Sequence, residues 1–191
     1  MSASKVEIAN LALLRIGQRS IQSIDEQSNE AVYCRKLYDR TRRTVLRSHP
    51  WRFALKLQTL AQEVTTPPGY TYSYALPSDL LYVVEVVSAS SGYQAMAKFE
   101  RNGQSLWADE PSAQLRYVKN VEDPNEFDDL FVDAFGWRMA AELATPVAGK
   151  PELMADMMRM FQITLNQARA ASGGEARKKL VISNELKDSR A

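Results

Sequence analysis

The apolar residues of this 191-residue chain change their period twice. Up to Pro50 they recur every three or four positions; from Leu55 to Val118 they largely alternate; beyond Asp123 the longer period returns. A period of 3.6 buries one stripe of a helix and a period of two buries one face of a strand, so neither pattern suits the other element. The chain is thereby held to an α+β fold: a helical body of about four helices with an inserted small antiparallel β-sheet and an extended C-terminal arm. The body takes residues 1–53 and 122–172, the β insertion 54–121 and the arm 173–191. Apolar residues are 45% of the chain, enough for a core of this size.

The first helix is predicted from Ser4 to Ile16. Ser4 and Glu7 make a capping box, and Gly17 is placed to end the helix in a left-handed cap. The second runs from Ser28 to Arg47 with Ala31, Cys34, Tyr38, Thr41 and Val45 on one stripe, and Pro50 stops it. Strands are expected at Leu55–Ala61, Tyr70–Tyr74, Leu81–Val87, Ala95–Glu100, Ser105–Ala108 and Leu115–Val118, forming one small sheet with a hairpin turn at Asn102-Gly103. The third helix is predicted to start at Asp123, as cap, with Pro124 in its first position, and to end near Ala144. The fourth starts near Pro151, and Gly173-Gly174 is expected to break it.

Composition excludes several kinds of chemistry. With one cysteine, Cys34, and one histidine, His49, the chain lacks the ligands of a structural zinc site and any intrachain disulfide. It has no phosphate-binding glycine loop, no dinucleotide fingerprint and no nucleophile elbow. We therefore expect no cofactor and no enzymatic activity. No apolar stretch approaches the length of a membrane span, and Glu7, Asn10 and Arg15 interrupt the faintly signal-like start; a soluble, cytoplasmic product is expected. The formal net charge is only +1, which argues against a dedicated duplex-DNA binder.

The order and spacing of several segments resemble the tail tubular protein A family, the head-to-tail adaptors of short-tailed bacteriophages. The segments are Leu11-Ala12-Leu13-Leu14-Arg15-Ile16-Gly17 with Ile21-Gln22-Ser23-Ile24, Ala31 near the opening of the second helix, and the aromatic turn Ser48-His49-Pro50-Trp51-Arg52-Phe53-Ala54. They continue with Tyr72-Ser73-Tyr74-Ala75-Leu76-Pro77-Ser78-Asp79-Leu80-Leu81 and the aromatic, alanine-rich stretch from Phe127 to Ala144. The resemblance reaches to about Ala171 and rests on no single motif. It implies a dodecameric ring under a portal protein in the virion neck, assembled from subunits made in the host cytoplasm. It also implies DNA passing through the lumen, a tail-tube or nozzle protein docked below, and a C-terminal arm reaching toward the portal.

Charge supplies the candidate contact residues. From Ala31 to Lys56 eight bases face one acid, a balance of +7, and from Glu122 to Asp156 nine acids face two bases, a balance of −7. A head-to-tail ring needs two different complementary surfaces on each subunit. Arg35, Arg42, Arg43 and Arg47 on one side, and Asp128, Asp129 and Asp133 on the other, are the candidates. Pairing within one chain and simple solvation stay open beside this. Leu180, Val181 and Ile182 are the apolar residues of the arm that would dock on the portal, and Trp51 and Phe53 are read as anchors of the hinge between helices and sheet. Met154, Met157, Met158 and Met160 suit a core or a repackable contact, while alternating Tyr70, Tyr72 and Tyr74 suit a sheet face better than a base-stacking platform. Two alternatives belong to other classes: a DNA-binding accessory protein using the basic second helix, and a cell-wall hydrolase of the phage neck using a carboxylate pair such as Asp129 and Asp133.

Overall fold

The computed structural model describes residues 3–87 and 98–175, the last four by their backbone alone. Four α-helices and seven strands occur in the order α1 (Lys5–Arg15), α2 (Asn29–Ser48), β1 (Leu55–Thr59), β2 (Ala61–Gln62), β3 (Tyr72–Ala75), β4 (Leu80–Val87), β5 (Phe99–Asn102), β6 (Ser105–Ala108), β7 (Gln114–Lys119), α3 (Asp129–Leu143) and α4 (Pro151–Glu175). The α+β class and the inserted strands are as the apolar periods require.

Each early helix is fixed by its ends. At α1 the Ser4 hydroxyl accepts from the Glu7 N–H at 3.1 Å and the Glu7 carboxylate accepts from the Ser4 N–H at 2.6 Å, so two donors with no helical partner are satisfied. Gly17 has φ +69°, and the N–H groups of Gly17 and Gln18 return to the carbonyls of Leu14 and Leu13. That double return needs a left-handed residue, which glycine adopts without a Cβ clash. The following loop is tied back by Asn10, whose amide donates to the Ile21 carbonyl at 3.0 Å and accepts from its N–H at 2.8 Å.

Helix α3 is the centre of the body and packs against α1, α2 and α4. Phe131, Ala134, Phe135, Met139, Ala140 and Leu143 are buried around almost its whole circumference, as an interior helix requires. The third helix starts later than predicted. Asp123 caps only a short 3₁₀ turn, Pro124–Glu126, and Phe127 then turns extended to put its ring between Phe53 and Phe131. That excursion into the core breaks the helical ladder, and Asp128 caps the helix anew by accepting from the Phe131 N–H at 2.6 Å.

Helix α4 differs at the other end. It runs through Gly173 and Gly174 to Glu175 instead of stopping before them. A glycine inside a helix costs about 1 kcal/mol, which a helix already docked by Phe161, Leu165 and Ala168 absorbs. The arm residues Leu180, Val181 and Ile182 lie outside the described residues.

The strands form two antiparallel sheets, β1-β7-β4 and β2-β3-β6-β5, where a single sheet was expected. One layer would leave an apolar face in water; folding the second sheet over the first buries Tyr74 and Leu106 against Leu115, Tyr117 and Val86. The other face of the first sheet presents Leu81 and Val118 to the helical core. The three-stranded sheet is therefore a shared middle layer. Two register shifts in β4, between Leu80 and Tyr82 and between Val83 and Glu85, let Leu81 and Tyr82, neighbours in sequence, both pack on the helices. Tyr70 lies outside the strands, and β5 covers the end of the strand expected at Ala95–Glu100, whose start lies outside the described residues.

Helix α1 crosses close over α3 at Gly136. A Cβ on Gly136 would stand 2.6 Å from Arg15 Nη1 and 2.9 Å from Leu11 Cδ2. Arg15 is not free to retreat, because it lies 3.7 Å over the Trp137 ring and pairs with Asp133. Helix propensity alone would make Gly136→Ala stabilising by about 1 kcal/mol. Overpacking costs about 1–3 kcal/mol, and we expect it to win: the denaturant midpoint of Gly136→Ala should fall below that of the wild type.

Candidate functional site

The hinge between helices and sheet is an aromatic knot. Pro50 ends α2, and Trp51, 1% exposed, turns inward to donate from Nε1 to the Val45 carbonyl at 2.9 Å. Its ring meets Phe131 edge-on at 5.1 Å and His49 at 5.2 Å, and Phe53 packs on both Phe127 and Phe131. Trp51 and Phe53 are thus placed in the core, as hinge anchors. Burial, and then the positive charge of Arg169, push the His49 pKa below its usual value. Arg169 reaches this corner from α4, donating to the Ser48 carbonyl at 3.3 Å.

The basic residues of α2 divide into two sets. Arg42 is 2% exposed and belongs to the interior: it donates to Asn120 Oδ1 at 3.0 Å and to the Val121 carbonyl, with Asp39 at 3.4 Å and Glu122 at 3.8 Å. It ties α2 to the end of β7 and is removed from the candidate contact residues. Arg35 donates to the Ile24 carbonyl at 3.0 Å and Arg47 to the Leu81 carbonyl at 2.8 Å, yet both stay exposed. The guanidinium groups of Arg40 and Arg43 are exposed and have no hydrogen bond or ion pair among the described residues. With Asp39, Thr44 and Arg47 they line a shallow groove of about 360 Å³.

The acidic candidates are mostly committed to the fold. Asp128 is the cap of α3. Asp133 pairs with Arg15, accepts a second bond from it at its carbonyl, at 2.9 Å, and receives Thr164 Oγ1 at 3.3 Å. One carboxylate so binds α1, α3 and α4 together, and it is not available as half of an acid–base pair with Asp129. Asp129 itself is exposed in the first turn of α3. Glu152 and Asp156, in the first turns of α4, are exposed as well. Sequence reading passed over Arg15 as a clamp; the signal was Gly136 beside Trp137, a small residue and a cation-binding ring one step apart.

Of the methionines, Met157 and Met158 pack against the core, while Met154 and Met160 are exposed, as is Ile163 at 44%. Tyr74 is buried with its hydroxyl donating to the Glu110 carbonyl at 2.5 Å, which leaves no stacking platform of three tyrosines. Cys34 is buried, and burial pushes its thiol up to about 12. Among the described residues no helix is long and apolar enough to cross a membrane. Compared with known proteins, the chain matches no family model and no curated sequence.

Two outcomes follow from these placements. Arg42→Met strips the bonds from Asn120 and Val121 and should cost about 1–3 kcal/mol in chemical denaturation, whereas Arg43→Met should stay within about 0.5 kcal/mol of wild type. For His49 the folded pKa lies below the unfolded one. Its contribution is complete above the unfolded value of about 6.5 and is lost as pH falls through the folded value. Between pH 7.5 and 5 the melting temperature of wild type should drop more steeply than that of His49→Gln.

Proposed function

We propose that the protein is a structural, non-enzymatic subunit of a phage head-to-tail connector ring, working in the virion neck between the portal and the tail tube or nozzle. The reading begins from the resemblance to tail tubular protein A. The observation that carries it further is the row of exposed arginines on α2, with Arg40 and Arg43 lacking partners among the described residues. The helical core closes without these two side chains. Unbalanced charge on a rigid helix is a surface for a partner, and in an adaptor that partner is protein: the neighbouring copy, the portal or the tail tube.

The same arginines favour one other reading, a DNA-binding accessory protein, since guanidinium groups also take phosphate. A sliding conduit for DNA needs weak phosphate contacts, and strong ones would brake passage. The two readings separate in a mobility shift with duplex DNA at physiological salt. Strong binding that falls steeply with added salt would favour the accessory protein.

The deciding experiment is electron microscopy and mass measurement of the protein mixed with its cognate portal. We expect a closed ring of this chain, dodecameric by the resemblance, seated on the portal. A portal that takes up no copies of the chain, under conditions where the portal ring itself is intact, would sink the connector reading.

A further inference from the structure

We propose that the outer face of α2 in one copy docks antiparallel on the outer face of α4 in the next. Choosing a second copy as partner rests on the connector reading; the surfaces themselves come from the fold. On α2, Lys36, Arg40, Arg43 and Arg47 follow the spacing i, i+4, i+7, i+11 and are all exposed. On α4, Glu152, Asp156, Met160 and Ile163 follow i, i+4, i+8, i+11 and are also all exposed. Each set keeps to one side of its helix, and each stripe is about 16 Å long at 1.5 Å per residue.

Two bases meet the two acids in either direction, and the apolar residues select the antiparallel one. That register sets Arg47 opposite Glu152 and Arg43 opposite Asp156. It brings the stems of Arg40 and Lys36, with the partly buried Tyr33 and Leu37, to Met160 and Ile163. A parallel register would lay Arg43 and Arg47 on the two apolar residues. Lysine and arginine stems cover apolar surface while their charges stay wet, so the mixed stripe is a fit partner. Asp156 has one competitor in its own helix, Arg159 at 3.6 Å, an exposed i,i+3 contact of small worth.

The fold also narrows the earlier choice of counter-surface. In α3, Asp128 caps the helix and Asp133 is held by Arg15, which leaves Asp129 there, and Glu152 and Asp156 at the start of α4, as exposed acids. Both stripes are exposed in one subunit, so they do not satisfy each other within the chain. A contact between two different patches is heterologous, and its repetition closes a ring or runs on as a filament.

Charge exchange on the full-length protein tests this. Arg43→Glu with Arg47→Glu makes one chain; Glu152→Lys with Asp156→Lys makes a second; all four changes together make a third. None of these side chains is buried, and circular dichroism with thermal melting checks each fold. Sedimentation velocity over a wide concentration range, at low and high salt, reads self-association. Wild type should associate with salt sensitivity. Each two-site chain alone should associate at least tenfold more weakly. The equimolar mixture of the two, and the four-site chain alone, should recover to within about twofold, because both ion pairs again join opposite charges. A second readout is a disulfide formed between Arg43→Cys and Asp156→Cys chains on mixing. Equal association of all variants would overturn the α2–α4 contact and leave the connector reading standing. A wild type that does not associate, together with Arg43→Cys and Asp156→Cys chains that do not cross-link, would overturn the contact as well. Duplex DNA binding that is lost with Arg43→Glu and Arg47→Glu and stays lost in the four-site chain, without recovery of self-association, would assign the stripe to phosphate instead. A chain that passes every exchange yet never seats on its portal would strike the connector reading alone.

Discussion

Phe131 is the point to which the rest of the body is referred. Its ring lies within 5.1 Å of Trp51 and Phe53, 4.7 Å of Phe127 and 5.8 Å of Phe135. Through these contacts one residue of α3 fixes the end of α2, the entry to β1 and its own N-terminal approach. Aromatic edges meet faces in a limited set of geometries, so the knot sets directions as well as filling volume. The hydrogen bond from Trp51 to Val45 supplies the one polar group that burial of the indole would otherwise leave unmet.

Around that knot the charged side chains sort by depth. Those drawn inward work as struts. Arg42 spans from α2 to the end of β7, and Arg15 with Asp133 clamps α1 onto α3 and α4. Others stay outside, and of these the guanidinium groups of Arg40 and Arg43 have no hydrogen bond or ion pair among the described residues. The near balance of the whole chain, +1, hides this division. Opposite signs on α2 and on the start of α4 are a property of surfaces, and surfaces exist only once the interior has claimed its share.

The helical elements were legible because their signals are local. A capping box at Ser4, a glycine placed for φ > 0 at Gly17 and Ser28 before a helical stripe each act within a few residues. The hairpin at Asn102-Gly103 is equally local, with Gly103 at φ +59°. The delayed start of α3 was not legible, since Asp123-Pro124 and Asp128 are both sound starts and only the pull of the core on Phe127 chooses the second. Gly173 and Gly174 misled for the same reason: local preference gave way to an already formed and docked helix.

The sequence by itself determined which segments are helix and which are strand, that the strands interrupt a helical body, and that zinc-site chemistry lacks its ligands. Period, caps and composition act over short stretches of chain, and partner elements shifted only the ends of α3 and α4. Only the tertiary structure decided that the strands divide into two layers and that the first of these serves both cores. It alone separated Arg42 from Arg43, neighbours in sequence, into a buried strut and an exposed charge. Adjacent residues on a helix point about 100° apart, so which one meets β7 and which meets water depends on where distant elements pack.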